Sequence, residues 1–259
     1  MEMHIKHRQP KRIVQFLALI ILALPLSLGA QLFEELFNFG LEVLKIVDEE
    51  ILEISALTDE QENSIGEGIK QQILSENKVI KSYPKNKNPH KALADLLPHC
   101  ARKGIDYDLT IIDSDIFNAY TVAGGKVFIY SALLEGLRTQ EELVFVIAHE
   151  LAHNELKHCV KKVQHAVFAS NIDPNLGNVV MIGYGAIKRP YSKNEEREAD
   201  EYAIKLMRKA GYSKNGGTSF FNLLESLQGG DPGFVIPIID DFISTHPSPQ
   251  ERRARIEKM

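Results

Sequence analysis

The sequence predicts an α+β protein, mainly helical, with one small antiparallel sheet. Three observations carry this. Capping boxes at Thr58–Gln61, Thr139–Glu142 and Ser192–Glu195 each open a helical stretch, the N-cap hydroxyl and the side chain three residues on satisfying one another's backbone donors. Two alternating apolar stretches flank Gly124-Gly125, a tight-hairpin signal. The third is composition: 44% apolar residues in a chain of 259 supply one full core, and nothing suggests a second domain after residue 58.

The elements follow in order. Lys6, Arg8, Lys11 and Arg12 precede an apolar run from Ile13 to Leu28, broken by Pro25 and followed by Gly29-Ala30. This is the pattern of a secretory signal over residues 1–30, shorter than the roughly 18 to 20 residues that span a bilayer, so cleavage near Gly29 or Ala30 is expected. Residues 31–57 read as an amphipathic helix with a wide apolar stripe (Leu32, Phe33, Leu36, Phe37, Leu41, Leu44) interrupted by Gly40. It can pack on the domain, lie on a membrane surface or bind a partner. Thr58 then opens the main domain, residues 58–259. Lys81 to His90, with Pro84 and Pro89, is a polar connection, and strands are expected at 107–112, 117–122 and 126–130.

Thr139 opens a run without Gly or Pro from Leu143 to His158, apolar all round over Leu143–Ala148. Such a helix is buried, and its polar residues need partners. They are His149, Glu150 and His153. Residues four apart lie over one another on a helix, so His149 and His153 can grip one metal ion while Glu150, beside it, takes a proton from a water activated there. A catalytic zinc needs a third ligand. Leu156 and Cys159 stand where the pattern with a third nearby His requires Gly and His, so the ligand comes from elsewhere. Glu196 and Asp200 share a face of the helix opened by Ser192. Glu196 is expected on the metal and Asp200 on the second N–H of a ligand histidine, His149. Glu195 and Glu198 read as ordinary acidic residues of a helix start.

These segments together, His149 to His153, Glu196 to Asp200 and Ser244 to Arg252, resemble the HtpX-like and prenyl-protease metallopeptidases, members of the gluzincin class. The resemblance covers roughly residues 57–259 and is closest to short exported members of the periplasmic quality-control type. It implies a zincin-like domain with a small antiparallel sheet, an active-site helix that carries His149, Glu150 and His153, and one Zn2+ per chain. It also implies that Asn118 and Ala119 lie on an edge strand that pairs with an extended substrate. His246 stays open among three readings: a donor to the oxyanion of the tetrahedral intermediate, a fourth metal ligand, or a helix cap, with Arg252 tying the last helix, Pro249 to Lys258, to the core.

The remaining histidines, His158 and His165 among them, read as surface or satisfied-core residues. Cys100 and Cys159 could form a bridge in an exported chain. Net charge of −5 without a basic cluster in the main domain argues against nucleic acid as a partner. The expectation is a zinc metalloendopeptidase of the periplasm or cell envelope that cleaves misfolded or unassembled exported proteins. The N-terminal segment leaves membrane association open. The rival is a chaperone-like binder of unfolded chains with a structural or latent zinc site.

Overall fold

The computed structural model describes residues 57–170, 176–187, 189–228, 240–246 and 249–259. The expected signal and amphipathic helix fall, but for Leu57, outside these residues. All three predicted capping boxes are present. Thr58 caps α1 (Asp59–Glu76), Thr139 caps α4 (Gln140–Glu155) and Ser192 caps α7 (Lys193–Lys209), each with its N3 side chain reaching back. Asn88 caps α2 (Pro89–Leu96), with Pro at the first helical position, where its missing N–H costs nothing. Between them, α3 (Ser131–Gly136) links the sheet to α4. The other helices are α5 (His158–Ser170), α6 (Leu176–Ala186), α8 (Asn215–Gln228), α9 (Asp240–Thr245) and α10 (Pro249–Lys258).

The sheet holds β1 (Asp108–Ile112), β2 (Ala119–Val122) and β3 (Lys126–Tyr130) in the order β1-β3-β2. The β2–β3 pair is antiparallel, turning at Gly124 and Gly125 with φ of 70° and 72°, a conformation that costs glycine little. The β1–β3 pair is parallel, so the sheet is mixed where an antiparallel one was expected. The reason is the loop of residues 113–118. It crosses the end of β3, held by Ala132 N–H to Ser114 O and Tyr130 N–H to Asn118 O, and delivers β2 to the far edge.

Helix α4 is the centre of the unit formed by residues 57–259. Every residue from Glu142 to Asn154 is buried, against α2, α7, α8 and the face of β2. Phe145 meets Phe220 and Phe221 of α8 at ring distances of 5.7 Å. Helix α1 packs on the β2–β3 turn, and its buried Glu62 accepts Gly124 N–H and pairs with Arg102. Helices α5 and α6, the stretch least legible in the sequence, pack on each other, with α6 also on α1. Gly183 there lies close to Ile69 and Val163, whereas Gly185 has open space around it. Among the described residues no helix is long and apolar enough to cross a membrane.

Candidate metal centre

The spacing that put His149 and His153 on one face of α4 brings their Nε2 atoms to 3.1 Å. Glu196, in the first turn of α7, faces both: its Oε2 is 3.5 Å from His149 Nε2 and its Oε1 is 3.4 Å from His153 Nε2. A tetrahedral ion with bonds of roughly 2.0–2.1 Å would separate its ligand atoms by about 3.3 Å, so the three donors stand at the spacing a zinc-sized ion requires. His246, just beyond α9, completes a cluster of four residues whose ligand atoms all lie within 4.8 Å. Its Nδ1 is 2.9 Å from Glu196 Oε1, its Nε2 is 3.6 Å from Glu150 Oε1, and its ring stacks on Phe242 at 4.8 Å. The position is compatible with donation to a reacting oxygen or with metal ligation, and its own N–H also closes α9 on Phe242 O.

Glu150 is fully buried, and neither of its carboxylate oxygens makes a hydrogen bond. Stranded oxygens are costly in a core. They fit a group held in reserve for a ligand at the centre of the cluster. Burial raises its pKa, the direction useful to a base that must later act as an acid.

The surroundings fix the protonation of the donors. Burial holds His153 well below the ordinary imidazole value, neutral and ready to ligate. Burial would raise Glu196, but Arg252 and the neighbouring histidines hold it well below the carboxylate range. Burial and Arg252 push His149 down. Its hydrogen bonds to Asp200 and Glu196 outweigh them and bring it up to about 9. Asp200, one turn beyond Glu196, reaches His149 Nδ1 at 3.2 Å. Arg252 from α10 grips Asp200 twice, at 2.8 and 2.7 Å, and places its third nitrogen 2.5 Å from Glu196 Oε2. Arg252 thus ties the last helix to the core, as read from the sequence, and does so through the two buried carboxylates that face the histidine cluster.

Two contacts of His153 escaped the sequence reading. Tyr191 lies flat on His153, with ring centroids 3.7 Å apart at 13°, and its hydroxyl meets Cys159 Sγ at 3.2 Å. His158 is a satisfied core histidine, one of the two roles read for it, but its partners were not foreseen: its Nδ1 lies 3.0 Å from His153 Nδ1 and its Nε2 3.3 Å from Glu198 Oε2. Glu198, read as an ordinary solvated residue, thus has a partner. No spacing rule flags either contact, since both depend on the chain reversal after α4 and on a non-local approach. The cysteines are free: Cys100 Sγ faces Leu96 O and Cys159 Sγ faces Thr121 O and Tyr191, so neither is aimed at the other.

Ala119 opens β2, an edge strand as expected, and Asn118 immediately precedes it, but both are buried. Because Tyr130 N–H bonds to Asn118 O, antiparallel alternation turns the backbone groups of Ala119 and Thr121 away from β3, toward the free edge. That edge is occupied in part: Thr121 O faces Cys159 of α5 at 3.8 Å. A cavity of about 20 Å³ separates it from α5 and α6, lined by Thr121, Val122, Lys162, Val163 and Tyr191.

The model of peptidase family M48 matches residues 85–259, which include His149, Glu150, His153, Glu196, Asp200, His246 and Arg252. The chain is similar to the mitochondrial metalloendopeptidase OMA1 of Arabidopsis thaliana, 26% identical over 189 residues that cover 70% of this chain and 36% of that protein. It is also similar to two proteins of Escherichia coli. With metalloprotease YcaL it is 32% identical over 155 residues, covering 55% of this chain and 58% of that one. With metalloprotease LoiP it is 30% identical over 154 residues, covering 54% and 57%. The chain thus spans about a third of the Arabidopsis relative and rather more than half of the two bacterial ones.

Proposed function

The chain belongs to peptidase family M48, and from that premise we propose that it is a zinc-dependent endopeptidase acting on unfolded or unassembled polypeptides. The observation that carries the reading is the convergence of His149, His153 and Glu196 at zinc-ligand separations, beside a carboxylate, Glu150, with no other bonding partner. His149, His153 and Glu196 would hold the zinc ion, which would supply Lewis-acid chemistry toward the scissile carbonyl and the attacking water. Glu150 accepts that water's proton and passes it to the leaving amine nitrogen, a task its burial-raised pKa suits. Asp200 holds the His149 ring, and Arg252 holds Asp200 and Glu196. His246 Nε2, near Glu150, is placed to donate to the oxyanion. Backbone pairing along Ala119 and Thr121 would orient the substrate with little regard to its sequence, which favours unfolded chains. The basic and apolar N-terminal pattern supports export, hence a quality-control role in the periplasm or cell envelope.

One observation favours the second reading, a binder with a latent site. His149, Glu150, His153, Glu196 and His246 are each no more than 2% exposed, and α5 stands at the β2 edge. Incubating the zinc-loaded protein with casein, with and without a chelator, separates the two. Fragments that vanish with chelator support the peptidase; casein retained intact on the protein in both arms supports the binder.

A further inference from the structure

Helix α4 ends abruptly. Leu156 N–H closes on Ala152 O, Lys157 N–H on Asn154 O, and Lys157 takes φ of 62°, the only positive φ at a non-glycine residue among those described. A left-handed residue reverses the chain within one step, at a cost that the surroundings must cover. The reversal starts α5 at His158 and folds its imidazole back onto the preceding helix, 2% exposed, where its Nδ1 meets His153 Nδ1 at 3.0 Å. Its other nitrogen lies 3.3 Å from Glu198, a carboxylate anchored in turn by Asn194 Nδ2 at 2.6 Å. One line thus runs from the metal cluster through two imidazoles to a carboxylate at the protein surface.

The tautomers along this line are determined by its ends. His153 Nε2 faces His149 and Glu196, so with a metal bound it carries the lone pair and Nδ1 carries the hydrogen. His158 Nδ1 must then accept, which leaves the hydrogen on His158 Nε2, and Glu198 accepts that one. Each atom has a single consistent role. We infer that His158 and Glu198 are positioning residues that hold His153 in its metal-binding tautomer and ring orientation, the counterpart on the second histidine of what Asp200 does for His149. The inference rests on the metallopeptidase reading, since it assigns a role toward the zinc proposed there. It extends that reading because a ligand histidine oriented by another histidine, and through it by a carboxylate, keeps a neutral partner in direct contact with the ligand ring. Asp200 puts its charge there directly. The two ligands of α4 are thereby made electrostatically unequal.

Two measurements on the full chain test this. In the zinc-loaded wild type, two-dimensional 15N–1H histidine spectra are expected to show hydrogen on Nδ1 of His153 and on Nε2 of His158. Hydrogen on His158 Nδ1 would overturn the assignment. Zinc affinity, read by competition with a chromophoric chelator, is expected to weaken about 10- to 100-fold in His158→Leu. It should return close to wild type in His158→Asn, whose amide oxygen can accept where Nδ1 does. An affinity unchanged in His158→Leu, or equally weak in both variants, removes the role. Glu198 is exposed enough that Glu198→Ala cannot collapse the fold, and a weakening of zinc binding in that variant is likewise required. A wild-type chain that takes up no zinc removes the metallopeptidase reading as well; zinc uptake with the wrong tautomer, or without the His158 effect, removes only this inference.

Discussion

Replacing Arg252 by Met tests whether the C-terminal helix holds the metal site together through charge. The guanidinium is buried, bonded twice to Asp200 and paired with Glu196, both themselves almost wholly buried. Methionine keeps most of the aliphatic stem and removes the guanidinium, with its ion pairs and its position 4.8 Å over the Phe221 ring, so the loss is chiefly electrostatic. Taking one partner out of a buried ion pair costs about 3–5 kcal/mol, because the charge left behind stays desolvated. At roughly 2–4 °C per kcal/mol for a domain of this size, the chelator-treated protein should melt about 6–20 °C lower than wild type. A divalent ion between His149, His153 and Glu196 compensates the stranded carboxylate, so zinc should recover most of the loss. Asp200→Asn, which removes one of the two anions, should make the Arg252→Met change milder in the double variant by about 0.5–3 kcal/mol. Thermal unfolding followed by circular dichroism, with zinc and with chelator, reads all three. A drop below about 3 °C in the chelated form, or equal drops in both forms, would refute the reasoning.

Other expectations are independent of this. Glu150→Gln keeps the shape of the side chain and removes the base, so zinc content should stay at wild-type level while casein cleavage falls by about 10²- to 10⁴-fold; residual cleavage within tenfold of wild type excludes Glu150 from proton transfer. With His149 raised to about 9, zinc must displace its proton at pH 7.5, so calorimetry in buffers of different ionisation enthalpy should show at least about one proton released per ion bound. The same shift makes a prediction for the metal-free protein: His149 contributes stability fully below its ordinary value of 6.5, and that contribution is lost as the pH rises through about 9. A stability profile of the metal-free form that rises over that interval contradicts it. At Gly66, an added Cβ would stand 2.1 Å from Ala123 O, backbone that cannot move aside. Gly66→Ala should therefore cost about 1–3 kcal/mol in thermal unfolding while leaving zinc affinity as it was, α1 lying outside the metal cluster.

What the sequence made legible was local. A capping box is a contact between residues three apart, and all three stand as expected. The pairing of His149 with His153, and of Glu196 with Asp200, follows from helix periodicity alone. Gly124-Gly125 gave the β2–β3 turn for the same reason. Where two distant segments had to meet, the chain carried no such rule. The parallel β1–β3 pair depends on which edge of β3 a six-residue loop reaches, and no alternation pattern encodes that. His158 and Tyr191 reach His153 through the left-handed Lys157 and the approach of residue 191 to α4. Cys100 and Cys159 had parity in their favour, but their bonding directions are tertiary facts.

The charges at the centre explain why these particular groups were buried together. Glu150, Glu196 and Asp200 bring three carboxylates into direct contact with the cluster, and Arg252 brings one fixed positive charge. With the histidines neutral, two negative charges remain uncovered in a site where each costs several kcal/mol. The protein by itself can cover them only by holding protons, and the two shifts run that way: His149 is raised to about 9 and Glu150 is raised by its burial. A divalent cation held there would cover both charges, and Glu150 would then be ionised, the state a general base must be in before the reaction begins. On this argument Arg252 sets the charge of the site to that of one zinc ion. A substitution that changes the count by one, such as Asp200→Asn or Arg252→Met, should shift metal affinity in opposite directions: weaker where an anion is lost, stronger where the competing cation is. Equal losses from both would mean that geometry alone, without this charge balance, governs the binding.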